Sequence, residues 1–157
     1  MKALIIYATK YGATETIAQT IAQHMGNADL HNMSSNDSIY INGYDCIILG
    51  SSLTAGLINS DVKRFASDNI IQLQNKKVGI FLSGLQKNDI EECFEQNFPK
   101  ALLDNAAATL FAGGIFDPTK CGFFARKTIK LIAKLDSYTS TIDEEKIERF
   151  AKSLLSE

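Results

Sequence analysis

The chain has 157 residues, of which 45% are hydrophobic and 22% are charged, and its formal net charge is −2. This length predicts one domain with a sizeable core, and the composition is that of a globular protein. The chain lacks the basic footprint of nucleic-acid binding, which argues against nucleic acid as the main partner. Cys46, Cys93 and Cys121 are far apart and match no zinc or redox spacing. We therefore expect reduced thiols and a cytoplasmic location.

The first half of the chain switches between the sequence patterns of strand and helix. Residues 2–8 are a short apolar run with β-branched and aromatic members, which predicts a strand buried on both faces. Apolar residues then recur at helical spacing over 14–25, with Thr14 as the predicted N-cap. Residues 28–33 predict a weak short strand, and residues 45–50 predict a second strong strand.

The second half of the chain continues this alternation. The predicted elements are, in order, a helix at 60–69, a strand at 77–83, a helix at 88–97, a strand at 108–114, and helices at 121–135 and 143–155. We expect Asn88 or Asp89 to begin the helix at 88–97, and Asp143 to cap the last helix. Alternation of apolar strands with helices predicts a single α/β domain over 1–157, with a parallel sheet covered by helices on both faces.

Four loops rich in Gly, Ser and Thr follow the strong strands. They are 9–15, 50–56, 83–89 and 113–122. The carboxyl ends of parallel strands share one edge of the sheet, and ligands bind there at the point where the strand order reverses. We therefore expect these loops to build one binding site.

The loop at 9–14, with the sequence TKYGAT, allows two interpretations. Gly12 permits a close backbone approach, and the amides of residues 10–14 lead into a helix N-terminus, which favours an anion site. The alternative is a plain turn between strand and helix. The dinucleotide fingerprint GxGxxG and the nucleotide loop GxxxxGK(S/T) are both absent at this position. We expect Lys10 to be the only cation near this loop.

This loop resembles the phosphate loop of flavodoxins, (T/S)-x-T-G-x-(T/S), which follows strand one and opens helix one. The chain matches it at Thr9, Gly12 and Thr14 and departs from it at Tyr11. The resemblance covers the whole chain and implies a three-layer sandwich, with a five-stranded parallel sheet in the order 2-1-3-4-5. It also implies non-covalent FMN and a low-potential electron-transfer protein that works with redox partner proteins.

Three segments are most similar to the flavodoxin-like menaquinone-dependent protoporphyrinogen dehydrogenase (oxidase) group. They are residues 50–60, 112–135 and 142–154. This resemblance implies an alternative function, the oxidation of protoporphyrinogen IX with a quinone (menaquinone) as acceptor. That group carries Arg and Tyr near two positions where this chain has Thr54 and Ala55. Both functions therefore stay open at this point.

The flavodoxin resemblance also implies the site residues, position by position. The FMN phosphate would be held by Thr9, Lys10, Tyr11, Gly12, Ala13 and Thr14. The flavin ring would be bordered on one side by Ser51, Ser52, Leu53, Thr54, Ala55 and Gly56, and on the other by Ser83, Gly84, Leu85 and Gln86. Gly56 would present the peptide that meets N5 of the reduced flavin. Leu53 and Leu85 stand where flavodoxins usually have aromatic residues that stack on the ring.

Two segments of opposite charge are candidates for partner binding. The acidic residues of the helix at 88–97 form either a docking rim for a basic redox partner or an ordinary solvated face; they are Asp89, Glu91, Glu92 and Glu95. The basic helix at 120–135 carries Arg126, Lys127, Lys130 and Lys134 on one face. Either this helix contacts a quinone, the inner face of a membrane or an acidic partner, or it packs its other face, with Phe124 and Leu131, on the sheet.

Overall fold

The computed structural model describes residues 1–26, 28–35, 37–85 and 89–156, apart from the side chains of residues 132 and 133. The main strands are β1 (Ala3–Ala8), β2 (Asp29–Asn32), β3 (Cys46–Ser52), β4 (Lys77–Ser83) and β5 (Ala106–Phe111). They form a five-stranded sheet in the order β2-β1-β3-β4-β5, and every neighbouring pair is parallel. This confirms the predicted α/β fold class and strand order.

Helices cover both faces of this sheet. They are α1 (Ala13–His24), α2 (Ser60–Asp68), α3 (Ile70–Leu73), α4 (Ile90–Asn97), α5 (Lys100–Asn105), α6 (Phe123–Ala133) and α7 (Glu144–Leu155). A small antiparallel pair, β6 (Ile115–Phe116) and β7 (Thr139–Ser140), lies beside the main sheet. Asp89 caps α4 and Asp143 caps α7 through their carboxylates, as the sequence predicted.

The core is divided by the sheet into two layers, because successive side chains of a strand point to opposite faces. On one face, Leu4 and Ile6 of β1 belong to a cluster with Val62 of α2 and Phe94 of α4. The other face holds a second cluster; its buried members from the helices are Ile17, Ala18, Ile21 and Ala22 of α1 and Ile147, Phe150 and Leu154 of α7. Burial on both faces explains why β1, β3 and β4 are continuous apolar runs in the sequence.

The register of the sheet brings the ends of the central strands to one level. Tyr7 of β1 pairs with Gly50 of β3, Gly50 with Phe81 of β4, and Phe81 with Leu110 of β5. The loops that follow these strands therefore leave the sheet at a common edge, as predicted.

The predicted N-cap of α1 was wrong. Gly12 occupies the cap position, with φ 95°, and Thr14 lies inside the first turn of the helix. The Thr14 hydroxyl is not used as a cap because it makes a buried hydrogen bond with the Ser83 hydroxyl, 2.7 Å away. A tertiary contact thus replaces the local capping bond that the sequence suggested.

The fifth strand is also shorter at its end than the predicted 108–114. It ends at Phe111 because the next residues turn their backbone toward the start of α7. The amide of Asp143 donates to the carbonyl of Ala112 (3.1 Å), and the amide of Thr141 donates to the carbonyl of Gly114 (2.8 Å). Short elements such as α5, β6 and β7 had no counterpart in the sequence prediction.

Candidate functional site

At the sheet edge, the first turn of α1 is joined to the end of β4 by the buried hydrogen bond between Thr14 and Ser83. The loop after β3 is joined to the end of β4 as well, since the amide of Leu53 donates to the carbonyl of Ser83 over 2.8 Å. Gly84 lies so near that a Cβ there would be 3.4 Å from Leu53 Cβ. The structure therefore brings members of all three predicted sets of site residues into one place.

The loop at 9–14 has the geometry of an anion cradle. The Thr9 hydroxyl accepts a hydrogen bond from the amide of Gly12 over 3.0 Å. In α1 the amide of Thr16 donates to the carbonyl of Gly12 (3.1 Å), four residues earlier. The amides of Ala13, Thr14 and Glu15 therefore come before the first hydrogen bond between residues four apart in this helix. Such amides, together with the positive end of the helix dipole, favour a phosphate group.

The side chains around this cradle differ in what they contribute. Lys10 is exposed, and its Nζ lies over the Tyr11 ring, 5.3 Å from the centroid. A second cation comes from outside the loop: Lys120 Nζ is 3.8 Å from the place that a Cβ on Gly12 would occupy. The expectation that Lys10 is the only nearby cation was therefore wrong, because sequence distance does not reveal that the loop after β5 folds back here.

Glu15, in the first turn of α1, is the nearest acid to the cradle in the sequence. Its carboxylate accepts a hydrogen bond from the Tyr7 hydroxyl over 3.1 Å. Burial, together with the Glu15 carboxylate, raises the pKa of Tyr7 to about 12, so this phenol remains a neutral donor at ordinary pH. The negative charge of Glu15 is thus directed toward Tyr7.

The loop after β3 contains a tight turn at Thr54–Leu57. Ala55 and Gly56 have φ of 51° and 80°, and the flanking residues Thr54 and Leu57 exchange two backbone hydrogen bonds, of 2.9 and 3.1 Å. Positive φ at both central positions is typical of a type I′ turn, for which glycine is well suited. Thr54, Ala55 and Leu57 are exposed, so this turn forms an accessible rim of the site.

Asn97 at the end of α4 fixes this turn, although the sequence prediction did not include it among the site residues. Its side-chain amide donates to the carbonyls of Gly56 (2.8 Å) and Cys93 (2.7 Å), and its oxygen accepts from the amide of Ile58 (3.1 Å). The side chain is buried. The available signal was the helical spacing of Ile90, Cys93 and Asn97, which places a polar residue on the inward face of the helix.

The apolar residues of the flavin loops are not equivalent. Leu53 is half-buried and packs against the first core cluster, and Leu85 is also half-buried. Leu57, which the sequence prediction did not include, is 59% exposed at the turn. Gln86 lies outside the described residues. Leu57 is therefore an additional exposed apolar side chain at this edge of the site.

The described ranges contain neither a metal site nor a membrane-spanning helix. No group of His, Cys, Asp or Glu in them has the arrangement needed for a metal ion. Within the same ranges, every helix is too short or too polar to span a membrane.

A parallel sheet in this strand order, with an amide cradle after its first strand, defines a flavodoxin-like α/β protein. Comparison with known proteins agrees: a model of the flavodoxin domain matches residues 4–143. A flavodoxin of Synechococcus elongatus is 31% identical over 103 residues, which span 62% of this chain and only 58% of that protein. An uncharacterized protein of Methanocaldococcus jannaschii is 31% identical over 159 residues, or 99% of both chains. The chain belongs to the flavodoxin family.

Solved structures support the same fold. The oxidised flavodoxin 2 of Bacillus cereus has a TM-score of 0.64 at 24% identity and covers 99% of this chain and 98% of its own. The two-electron reduced flavodoxin of Megasphaera elsdenii has a TM-score of 0.60 at 18% identity, with 97% of each chain covered. The family is one of FMN-binding electron-transfer flavoproteins, which confirms the cofactor and the general function that the sequence predicted.

The first prediction concerns Asn97. We expect Asn97→Ala to lower the free energy of unfolding by about 2–4 kcal/mol, because it leaves the Gly56 carbonyl and the Ile58 amide without their partner. Urea denaturation of the apoprotein measures this change. Asn75→Ala is the matched control, because the exposed Asn75 makes one hydrogen bond, to Ile71. A loss below about 1 kcal/mol for Asn97→Ala would contradict a clamping role.

The second prediction concerns the cradle backbone. Gly12→Val should abolish FMN binding, because a β-branched residue is strained at φ 95° and its side chain would point toward Lys120. Tyr11→Thr should retain FMN binding, because it leaves the backbone amides in place. Quenching of FMN fluorescence on titration measures both, and circular dichroism verifies that each variant is folded. Loss of binding in Tyr11→Thr would show instead that the ring is required.

Proposed function

We propose that this chain is a single-domain electron carrier that binds FMN at the sheet edge and has no organic substrate of its own. The phosphate would lie in the cradle at 9–14, and the ring between residues 51–56 and 83–86. FMN supplies the redox chemistry when bound, while the protein supplies position and electrostatics. The exposed turn at Thr54–Leu57 is the observation that carries this proposal, because it leaves one rim of the site accessible to a partner protein.

The acidic start of α4 is the proposed docking rim for a basic redox partner. Asp89 Oδ1 accepts hydrogen bonds from the amides of Glu91 (3.0 Å) and Glu92 (3.3 Å), so Asp89 itself serves as the cap. Glu91, Glu92 and Glu95 remain exposed. Their helix follows the loop after β4, which is one wall of the proposed site. Exposed charges beside a redox site accelerate encounter with a partner of opposite charge.

The alternative is a dehydrogenase that oxidises protoporphyrinogen IX with a quinone acceptor. The observation in its favour is α6, a basic helix with apolar side chains exposed to solvent. Against it, Thr54 and Ala55 occupy the exposed turn where the resembling group has Arg and Tyr. We therefore prefer the electron carrier, and we treat membrane contact by α6 as a separate proposal.

α6 has an outward face that is both apolar and basic. Phe124 is 83% exposed and Leu131 is 82% exposed, so the alternative in which they pack on the sheet was wrong. Among the described side chains of this helix, the half-buried ones are instead Ala125 and Ile129, one turn apart. On the outward side, Lys127 Nζ lies over the Phe123 ring, 5.2 Å from its centroid.

We propose that this face of α6 lies on an anionic membrane surface. Residues 118–135 contain five Lys or Arg and no Asp or Glu, so the charge of the segment is complementary to acidic headgroups. Lys side chains can extend toward headgroups while neighbouring Phe and Leu enter the acyl boundary. The ion pair of Lys130 with Asp136, at 3.8 Å, is exposed and so is a weak competitor for that contact.

The third prediction tests the carrier and its docking rim. The protein reconstituted with FMN and reduced without oxygen should pass electrons to cytochrome c, a basic redox protein, as followed by stopped-flow absorbance. Glu91→Gln/Glu92→Gln should slow this step about fivefold at low salt, because two steering charges are lost. The matched control is Glu144→Gln/Glu145→Gln, which removes the same charge from the first turn of α7.

Two outcomes would contradict these proposals. Equal slowing by both double variants would exclude a localised rim. Turnover of protoporphyrinogen with a menaquinone analogue, at a rate well above that of free FMN, would establish the quinone-linked enzyme in place of the carrier.

The fourth prediction tests α6. The protein should sediment with vesicles that contain phosphatidylglycerol and not with pure phosphatidylcholine vesicles. Lys127→Glu/Lys130→Glu and Phe124→Ser/Leu131→Ser should each reduce binding at least tenfold, because one removes charge attraction and the other removes the inserted apolar groups. Lys63→Glu/Arg64→Glu on α2 makes the same charge change at exposed positions and should have little effect. Wild-type protein that stays in the supernatant would contradict the proposal.

A further inference from the structure

Lys120 lies at the cradle although it is far from that loop in the sequence. Its Nζ is 3.8 Å from the place that a Cβ on Gly12 would take. Gly12 is the cap of α1, and its amide is already bonded to the Thr9 hydroxyl. The ammonium group therefore lies beside the open amides at the start of the helix.

The loop that carries Lys120 is held by its own hydrogen bonds. The carboxylate of Asp117 accepts from the Thr119 hydroxyl (2.6 Å) and from the Thr119 amide (2.9 Å). The amide of Lys120 donates to the carbonyl of Asp117 over 3.1 Å, and the Arg126 guanidinium donates to the carbonyl of Pro118. The neighbouring Cys121 is buried. The backbone at Lys120 is thus fixed in a turn that faces the cradle.

The acids near Lys120 and the cradle already accept hydrogen bonds from other groups. Residues 9–14 contain no acid, and the Glu15 carboxylate accepts a hydrogen bond from Tyr7. The hydrogen bonds from Thr119 and, to a smaller extent, the charge of Lys120 lower the pKa of Asp117, so this carboxylate is ionised and attracts Lys120, while its hydrogen-bond donors come from Thr119. Lys10, the other cation, lies over the Tyr11 ring. Of the two lysines, Lys120 is the one whose ammonium group faces the cradle backbone.

We infer that Lys120 binds the phosphate of FMN and so makes this site selective for FMN over riboflavin. The inference rests on the proposed FMN site and adds a residue that the flavodoxin motif does not contain. An ammonium group acts on a phosphate as a compact point charge, and charge-assisted hydrogen bonds of this kind are the stronger class. The contribution should be confined to ligands that carry the phosphate, because riboflavin offers no charge at that position.

The experiment compares two ligands across four proteins. Dissociation constants of FMN and of riboflavin are measured by fluorescence quenching for the wild type, Lys120→Met, Lys120→Arg and Lys152→Met. We expect Lys120→Met to weaken FMN about tenfold and to leave riboflavin unchanged. Lys120→Arg should restore most of the FMN affinity, and Lys152→Met, which removes an exposed lysine from the last turn of α7, should change it less than threefold. Raising the salt concentration should weaken FMN binding more in the wild type than in Lys120→Met.

The outcomes separate this inference from the proposed function. If the wild type binds FMN and Lys120→Met binds it equally well, the inference is overturned while the FMN site stands. If FMN and riboflavin weaken together in Lys120→Met, Lys120 has a structural role and the inference is again overturned. A wild type that binds neither ligand would overturn the FMN site itself, and the inference with it.

Discussion

Burial of the central strands on both faces is the constraint from which the rest of this structure follows. β1, β3 and β4 are covered by helices on either side, so their polar contacts with solvent are confined to the strand ends. Because neighbouring strands are parallel and in register, the carboxyl ends fall together. Loops that are far apart in the sequence therefore meet at this edge. The arrangement of the strands is enough to bring the residues of a binding site together there.

The Thr14–Ser83 hydrogen bond shows how this edge is made rigid. Both hydroxyls are buried, and each satisfies the other over 2.7 Å. Removing one would leave the other buried without a partner, which costs about 1–3 kcal/mol. Because the Thr14 hydroxyl makes this contact, it does not cap α1. The first amides of the helix therefore remain available to bind an anion. Core packing and the proposed phosphate site are therefore coupled through one pair of side chains.

The sequence predicted what depends on local pattern. Continuous apolar runs identified β1, β3 and β4, and the Asp caps identified the starts of α4 and α7. Prediction was wrong for the cap of α1, because Thr14 satisfies every local criterion and only the position of Ser83 decides otherwise. Helices as short as α5 and strands as short as β6 contain too few residues to show a period.

The residues of the candidate site likewise fall into those that the local sequence pattern predicts and those that it does not. The cradle at 9–14 could be located from its place between a strand and a helix. Asn97 and Lys120 could not be assigned from the sequence, since each reaches the site from another part of the chain. Their roles depend on where α4 ends and on how the loop after β5 folds back, and both are set by packing. Tertiary contacts therefore supply the parts of this site that the motif residues do not.

The acidic helix α4 and the basic helix α6 do not support the binding of a partner equally well. Helix α4 has a side-chain cap and two acids in its first turn, both of which stabilise a helix N-terminus by themselves. Its acidic residues therefore have a structural explanation in addition to the proposed docking role. Helix α6 starts at Gly122 with no side-chain cap bond and no acid in its first turn, and it leaves its aromatic residues exposed. Helix stability alone does not explain that arrangement, so the case for an external partner is stronger for α6 than for α4.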